Sequence, residues 1–407
     1  MGSHHWRRVL TAGAFLVVAS IAAMLAGASP RVLAAPSPFE DERHDVSAAL
    51  EAIRAKHDLP GMGAIGTKDG RTMVAGATGR RRIDDETPIT FGDRFHIGSC
   101  GKAMTSTMLA SLVEEGVLSW ETTILEAIPD LEDSMDPGFA EVTLLQLLQH
   151  RGGIAERRNP ELNQRLITQF ANLEGSPQEQ RWKVMADVLS QPPTTKPGAS
   201  MEYSNYGYMT AAAMAEELTG QSWQELMTER LFKPLHMSSA GLSMPGTPGV
   251  IDEPRGHQKS AQGWKVIEPG TDPDLPECIA PAGLIHCSLE DWAKFVQAHL
   301  DGERGKDGLL KAETFRLLHR APEGSEYACG WGVVKREWTT GPVYTHTGSN
   351  GVWFSVVWAA PEPNVMALAV TNGASGTAPV ALDEAVVVVF QTMGIIPAAG
   401  ATSSGEK

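Results

Sequence analysis

Strand-forming segments lie at the two ends of this chain and helical ones lie between them, which narrows the folds open to it. Near the start, Met62–Thr67 and Thr72–Ala77 flank Lys68-Asp69-Gly70-Arg71, whose Asp-Gly pair reads as the turn of a hairpin. Near the end, Gly330–Val334, Val343–His346, Trp353–Ala359 and Val365–Thr371 are β-rich and separated by turn residues. From about 120 to 320 the pattern is mostly helical and broken by Pro and Gly, as in Val142–His150, Met209–Leu218, Trp223–Leu231 and Leu289–Leu300. Gly241 to Gly283 is rich in Gly, Pro and Asp and reads as a loop. Further helices are predicted over Val46–His57, Cys100–Glu115 and Val380–Met393. The economical architecture is α+β: one antiparallel sheet built from both chain ends, flanked by the terminal helices, with a mostly helical region inserted. A site is then expected in the cleft between sheet and insert.

The 407 residues, 42% hydrophobic, suffice for one large domain or two moderate ones. Arg7 and Arg8 precede the uncharged run Val9–Ser29, and Val32 and Ala34 offer a cleavage point before Ala35. Residues 1–34 therefore read as a secretory signal, and the mature protein is expected in the periplasm or outside the cell. The alternative is a retained anchor, the one route by which this chain would engage a membrane. Residues 397–407 are small and polar and are expected to be disordered. A net charge of −15 with no clustered basic face argues against nucleic acid as a partner. In an exported chain Cys278 and Cys287 are near enough in sequence to pair; the alternative is that they and Cys100 and Cys329 are small buried hydrophobes. No CxxC or HExxH spacing occurs, so neither a metal nor another cofactor is expected.

Ser99-Cys100-Gly101-Lys102 carries a chemical signal. A lysine one helical turn after a serine lies on the same face and can take its proton. A serine at a helix start also has backbone N–H donors for a developing oxyanion. Lys102 is the only charge from Cys100 to Val113, in a helix that reads as buried. The same spacing at Ser404–Lys407 shows that it decides nothing alone. Tyr203-Ser204-Asn205 adds a phenol able to shuttle protons and an amide with a donor and an acceptor. His346-Thr347-Gly348 ends a predicted strand: Thr347 can donate to a carbonyl, Gly348 would admit a substrate backbone closely, and the N–H of Ser349 would face that of Ser99.

In this order the three motifs resemble the β-lactamase-related serine hydrolases, which include class C β-lactamases, D-alanyl-D-alanine carboxypeptidases, D-aminopeptidases and esterases. The family's Ser-x-x-Lys, Tyr-x-Asn and Lys/His-Thr-Gly elements match Ser99/Lys102, Tyr203/Asn205 and His346–Gly348. The resemblance spans about residues 44–395, with family-like text at Leu112–Trp120, Pro197–Tyr208, Pro234–Met237, Pro281–Leu284 and Gly330–Val333. It implies a β-lactamase/transpeptidase-like fold and a covalent acyl-enzyme. Ser99 would be the nucleophile, and Lys102 and Tyr203 would move its proton. Asn205, His346, Thr347 and Gly348 would meet the substrate, and Ser349 would complete the oxyanion site. Gly101 replaces the usual Ser or Thr, His150-Arg151-Gly152-Gly153 replaces His-x-Ser-Gly, and His346 stands where β-lactamases have Lys. A histidine is only partly charged at neutral pH, which points to an ester or amide, D-amino peptides included. A binding protein with little turnover and a true β-lactamase are the alternatives. A Ser-His-Asp hydrolase is disfavoured, because the segments beginning Ile97-Gly98-Ser99 and Thr347-Gly348-Ser349 both lack the first glycine of Gly-x-Ser-x-Gly.

Overall fold

The two ends of the chain meet in one seven-stranded sheet. Its order is β1 (His44–Asp45), β3 (Arg71–Gly79), β2 (Gly61–Lys68), β11 (Val365–Thr371), β10 (Phe354–Ala360), β9 (Val343–Ser349) and β8 (Gly332–Val334). The computed structural model describes residues 43–154, 160–170, 172–272 and 274–397; the signal read over 1–34 and all but Pro397 of the expected tail lie outside them. The two groups of strands join between β2 and β11, with Met62 opposite Thr371 and Lys68 opposite Val365. Every pairing in this sheet is antiparallel except β1 with β3.

The central strand β11 is buried along its whole length, which its unbroken VMALAVT run requires. Its side chains alternate between two cores. Ala367 and Ala369 face α1 (Ser47–Lys56) and α11 (Ala378–Thr392), packing with Leu50, Ile53, Leu382 and Phe390. Met366, Leu368 and Val370 face α2 (Gly101–Glu114) and α9 (Leu289–Glu303), packing with Met104, Phe295 and Leu300. The remaining helices are α3 (Ile124–Ala127), α4 (Leu144–Leu148), α5 (Pro160–Phe170), α6 (Pro177–Leu189), α7 (Asn205–Thr219), α8 (Trp223–Met227) and α10 (Ala312–Leu318). Reciprocal capping boxes start four of these helices: Thr123 with Glu126, Thr143 with Gln146, Ser176 with Glu179, and Ser222 with Glu225.

Several expectations need correcting. The helix read over Val142–His150 is the shorter α4, because Thr143 caps its start and His150 takes left-handed backbone with φ of 56°. The one read over Trp223–Leu231 is α8 followed by a π turn, Thr228–Phe232. The segment read as a loop, 241–283, contains the hairpin β5 (Gly256–Ser260) and β6 (Gly263–Ile267), joined at its edge by β12 (Gly373–Ala374), and then a 3-10 turn, Glu277–Ala282. Much of that hairpin is solvated, so it lacks the apolar alternation that marks a strand. A two-stranded ribbon, β4 (Arg94–His96) with β7 (His286–Ser288), was also missed. All four cysteines are buried and unpaired; Cys278 and Cys287 form no disulfide. Among the described residues no helix is long and apolar enough to cross a membrane.

Candidate active site

The Ile97 N–H donates to the Ile285 carbonyl at 2.9 Å, holding the end of β4 against β7, and the chain then turns through Gly98–Cys100 into α2. This turn leaves Ser99 half-buried at the helix start. Gly98 has φ of 51°, and a Cβ there would run into the Ser349 amide. A Cβ on Gly348 would run into the Ile97 carbonyl and come within 2.9 Å of the Cys100 amide. The close packing of this turn is by itself a reason for Gly348 to be bare. The two glycines let β9 lie directly on the turn that carries Ser99.

Lys102 is wholly buried. Its Nζ donates to Ser99 Oγ at 3.2 Å, to Asn205 Oδ1 at 2.8 Å and to the Ala282 carbonyl at 2.6 Å. It also lies over the rings of Tyr203 (4.7 Å) and Tyr208 (5.6 Å), where a cation is attracted to the π face. The Tyr203 hydroxyl donates to Ser99 Oγ at 2.8 Å. Asn205 opens α7, where Ser204 Oγ accepts the Gly207 N–H at 3.1 Å. Ser99, Lys102, Tyr203 and Asn205 thus form one hydrogen-bonded group, although more than a hundred residues separate its two halves. Once either of the two groups that donate to it is deprotonated, the Ser99 hydroxyl has a base beside it and is equipped for nucleophilic attack.

His346 is buried. Its Nδ1 lies 2.6 Å from the Thr347 carbonyl, which can only accept, so Nδ1 carries the hydrogen and Nε2 accepts from the Tyr327 hydroxyl at 3.1 Å. Burial, aided by the charge of Lys102, pushes its pKa down to about 4. The ring is neutral and both its nitrogens are engaged within the protein, whereas Thr347 beside it is exposed. The Ser349 hydroxyl is likewise occupied, donating to the Trp353 carbonyl at 2.7 Å.

Sequence reasoning missed the Ala282 carbonyl, Tyr208 and Tyr327, and gave no role to His150 beyond its place in His150-Arg151-Gly152-Gly153. The rings of Tyr203, Tyr208 and Tyr327 all pack around His150. It also missed Arg181, buried on α6, which grips Glu216 of α7 at 2.8 Å and donates to the Cys278 carbonyl at 2.7 Å. That ties the helix presenting Asn205 to the turn presenting Ala282. Among the described residues no group of three or more His, Cys, Asp or Glu is placed to hold a metal.

The model of the beta-lactamase family matches residues 46–390. The chain is 27% identical over 346 residues to penicillin-binding protein 4 of Amycolatopsis lactamdurans, covering 81% of this chain and 84% of that one. It is 21% identical to protein flp of Staphylococcus aureus over 82% of this chain, and spans 63% of that longer protein. Among solved structures, the octameric penicillin-binding protein homologue from Pyrococcus abyssi superposes with a TM-score of 0.68 at 21% identity, covering 85% of this chain and 77% of that one. A D-stereospecific amidohydrolase from Streptomyces sp. superposes with a TM-score of 0.66 at 22% identity, covering 83% and 97%.

Proposed function

This chain belongs to the beta-lactamase family, and we propose on that footing that it is an exported serine hydrolase, cleaving an ester or amide, D-amino peptides included, through an acyl-enzyme on Ser99. The observation that carries the reading is the Ser99 hydroxyl with Lys102 Nζ at 3.2 Å and the Tyr203 hydroxyl at 2.8 Å. Ser99 Oγ bonds to the substrate carbonyl carbon while its proton passes to Lys102 or Tyr203, whichever is deprotonated. The oxyanion is met by the N–H groups of Ser99 and Ser349, which the close packing at Gly98 and Gly348 draws together. The leaving alcohol or amine departs with the proton, and water then adds to the acyl carbon and releases the acid. Asn205 and Thr347 hold the substrate, and His346, beside Thr347 and bonded to the Tyr327 hydroxyl, helps to position it.

A neutral His346 gives β9 no cation with which to hold a carboxylate, which favours an ester or amide over a β-lactam. Likeness to the Streptomyces amidohydrolase points the same way. Export rests on the signal-like run Val9–Ser29. Similarity to a penicillin-binding protein favours a second reading, a module that is acylated but turns over poorly. Mass spectrometry after mixing with a p-nitrophenyl ester, and separately with a penicillin, tests both. Rapid turnover through a transient adduct on Ser99 is expected. A lasting adduct selects the binder, and undiminished hydrolysis by Ser99→Ala refutes either reading.

A further inference from the structure

Tyr203 lies just ahead of α7, which begins at Asn205, and residues 201–204 belong to no helix or strand. His150 grips that stretch from both sides. Its Nδ1 accepts the N–H of Ser204, the residue after Tyr203, at 3.1 Å. Its carbonyl accepts the N–H of Glu202, the residue before Tyr203, at 2.7 Å. Its ring packs on the Tyr203 ring at 4.4 Å between centroids, with Tyr327 at 4.7 Å and Tyr208 at 5.2 Å around it.

His150 is itself held at a cost. It is one of five non-glycine residues among those described with positive φ, at 56°, a backbone region that bulky side chains seldom adopt. It is only 2% exposed, and its Nε2 is buried without a hydrogen-bond partner. A strained backbone, a stranded polar atom and a ring that never reaches the surface make a poor stabilising unit. They make good sense as a clamp whose acceptor must be unprotonated. Burial, together with the charge of Lys102, favours that state by holding the imidazole well below the usual histidine range.

We propose that His150 is a positioning residue that keeps the Tyr203 hydroxyl on Ser99 Oγ by clamping the main chain on both sides of Tyr203 and bracing its ring. It touches neither Ser99 nor the substrate. The inference rests on the reading of Ser99 and Tyr203 as the reacting groups.

Two replacements separate its contacts. Asparagine tolerates left-handed backbone and can place an oxygen near the position of Nδ1, but it has no ring. Phenylalanine keeps a ring but cannot accept from Ser204. With a p-nitrophenyl ester, His150→Phe is expected to lower kcat about 100-fold with KM changed less than about threefold, as a misplacement of roughly 1 Å would do. His150→Asn is expected to recover at least about tenfold of that loss. The decisive measurement is a cycle with Tyr203→Phe. If His150 acts through the Tyr203 hydroxyl, adding a His150 replacement to Tyr203→Phe costs little more. Losses that multiply, or a His150→Phe protein with parental kcat, overturn the proposal. Should His150→Phe fail to fold, the cycle is run with His150→Asn and read the same way. Hydrolysis surviving Ser99→Ala would sink the underlying reading and this one with it. An inactive Ser99→Ala beside multiplying losses would sink this one alone.

Discussion

Lys102 lies 2.6 Å from the carbonyl oxygen of Ala282, nearer than the 3.2 Å that separates it from the Ser99 hydroxyl. The ammonium donates to the main chain of the Glu277–Ala282 turn and to Asn205, and a further hydrogen bond is aimed at Ser99. Taking an ammonium wholly out of water costs several kcal/mol. Each hydrogen bond it makes returns about 1.5–3 kcal/mol. The two nearly offset, so Lys102 contributes little net stability. Lys102→Met, similar in volume and uncharged, is expected to melt within a few degrees of the parent while acylation by an activated ester falls about a thousandfold. Thermal melting and burst kinetics on the same preparations check this. A variant that melts far earlier would mark Lys102 as a structural cation instead.

Arg181 has the opposite balance. It meets Glu216 two-pronged, at 2.8 and 3.0 Å, with side chains 0% and 3% exposed. Removing one partner strands the other as a buried charge, a loss of about 3–5 kcal/mol. Arg181→Met is expected to lower the melting temperature by roughly five to ten degrees. The double variant Arg181→Met/Glu216→Leu should regain most of that, because no charge is left unpaired. Calorimetry on the three proteins decides; a double variant no better than the single would place the loss in packing or in the Cys278 carbonyl left behind.

How much of this was legible follows from which part of each residue does the work. β11 reads directly, because a strand covered on both faces must be apolar throughout, and α2 reads directly because Lys102 is its only charge before Glu114. Ser99 with Lys102 and Tyr203 with Asn205 are short spacings of reactive side chains, so they could be picked out. That the Tyr203 hydroxyl lies 2.8 Å from Ser99 could not, since tertiary packing sets it, of α7 against α2 and of His150 against the stretch that carries Tyr203. The hidden parts act through backbone. Any residue at 282 would supply the same carbonyl, and a glycine at 348 does not say which neighbour comes close. Here that neighbour is Ile97.

Gly348 gives a sharp test of that point. A Cβ on it would enter the Ile97 carbonyl and crowd Ser355 Oγ at 2.7 Å. The carbonyl belongs to the turn carrying Ser99 and cannot swing aside, so overpacking of about 1–3 kcal/mol adds to a displaced nucleophile. Gly348→Ala is expected to lose more than about 100-fold in activity and to melt earlier. Gly376→Ala, where nothing lies within 4 Å of the new Cβ, is expected to match the parent in both assays. A soluble Gly348→Ala protein with full activity would show that β9 can withdraw from the turn.

The buried histidines fix the direction of the protein's response to acid. His257 accepts the Ile83 N–H on Nε2 at 3.0 Å and donates from Nδ1 to the Asn372 carbonyl at 2.8 Å, so only its neutral form fits. Burial pushes it down to about 4, with Asp84 and Arg82 nearby exerting opposed and smaller effects. Burial likewise pushes His286 and His346 to about 4 and His96 to about 3. An unfolded histidine titrates near about 6.5, so between there and the folded values the unfolded chain binds more protons. The stability these residues contribute is therefore complete above about pH 6.5 and is lost as pH falls toward about 4. The melting temperature is expected to be level from about pH 7 to 8 and to fall steadily below about 6.5. His257→Gln, whose amide can keep the contact with Ile83 but does not titrate, is expected to melt lower at pH 7 and to lose less on acidification than the parent. Melting curves across that window measure both slopes. If the variant falls as steeply as the parent, His257 is not one of the groups that take up protons on unfolding.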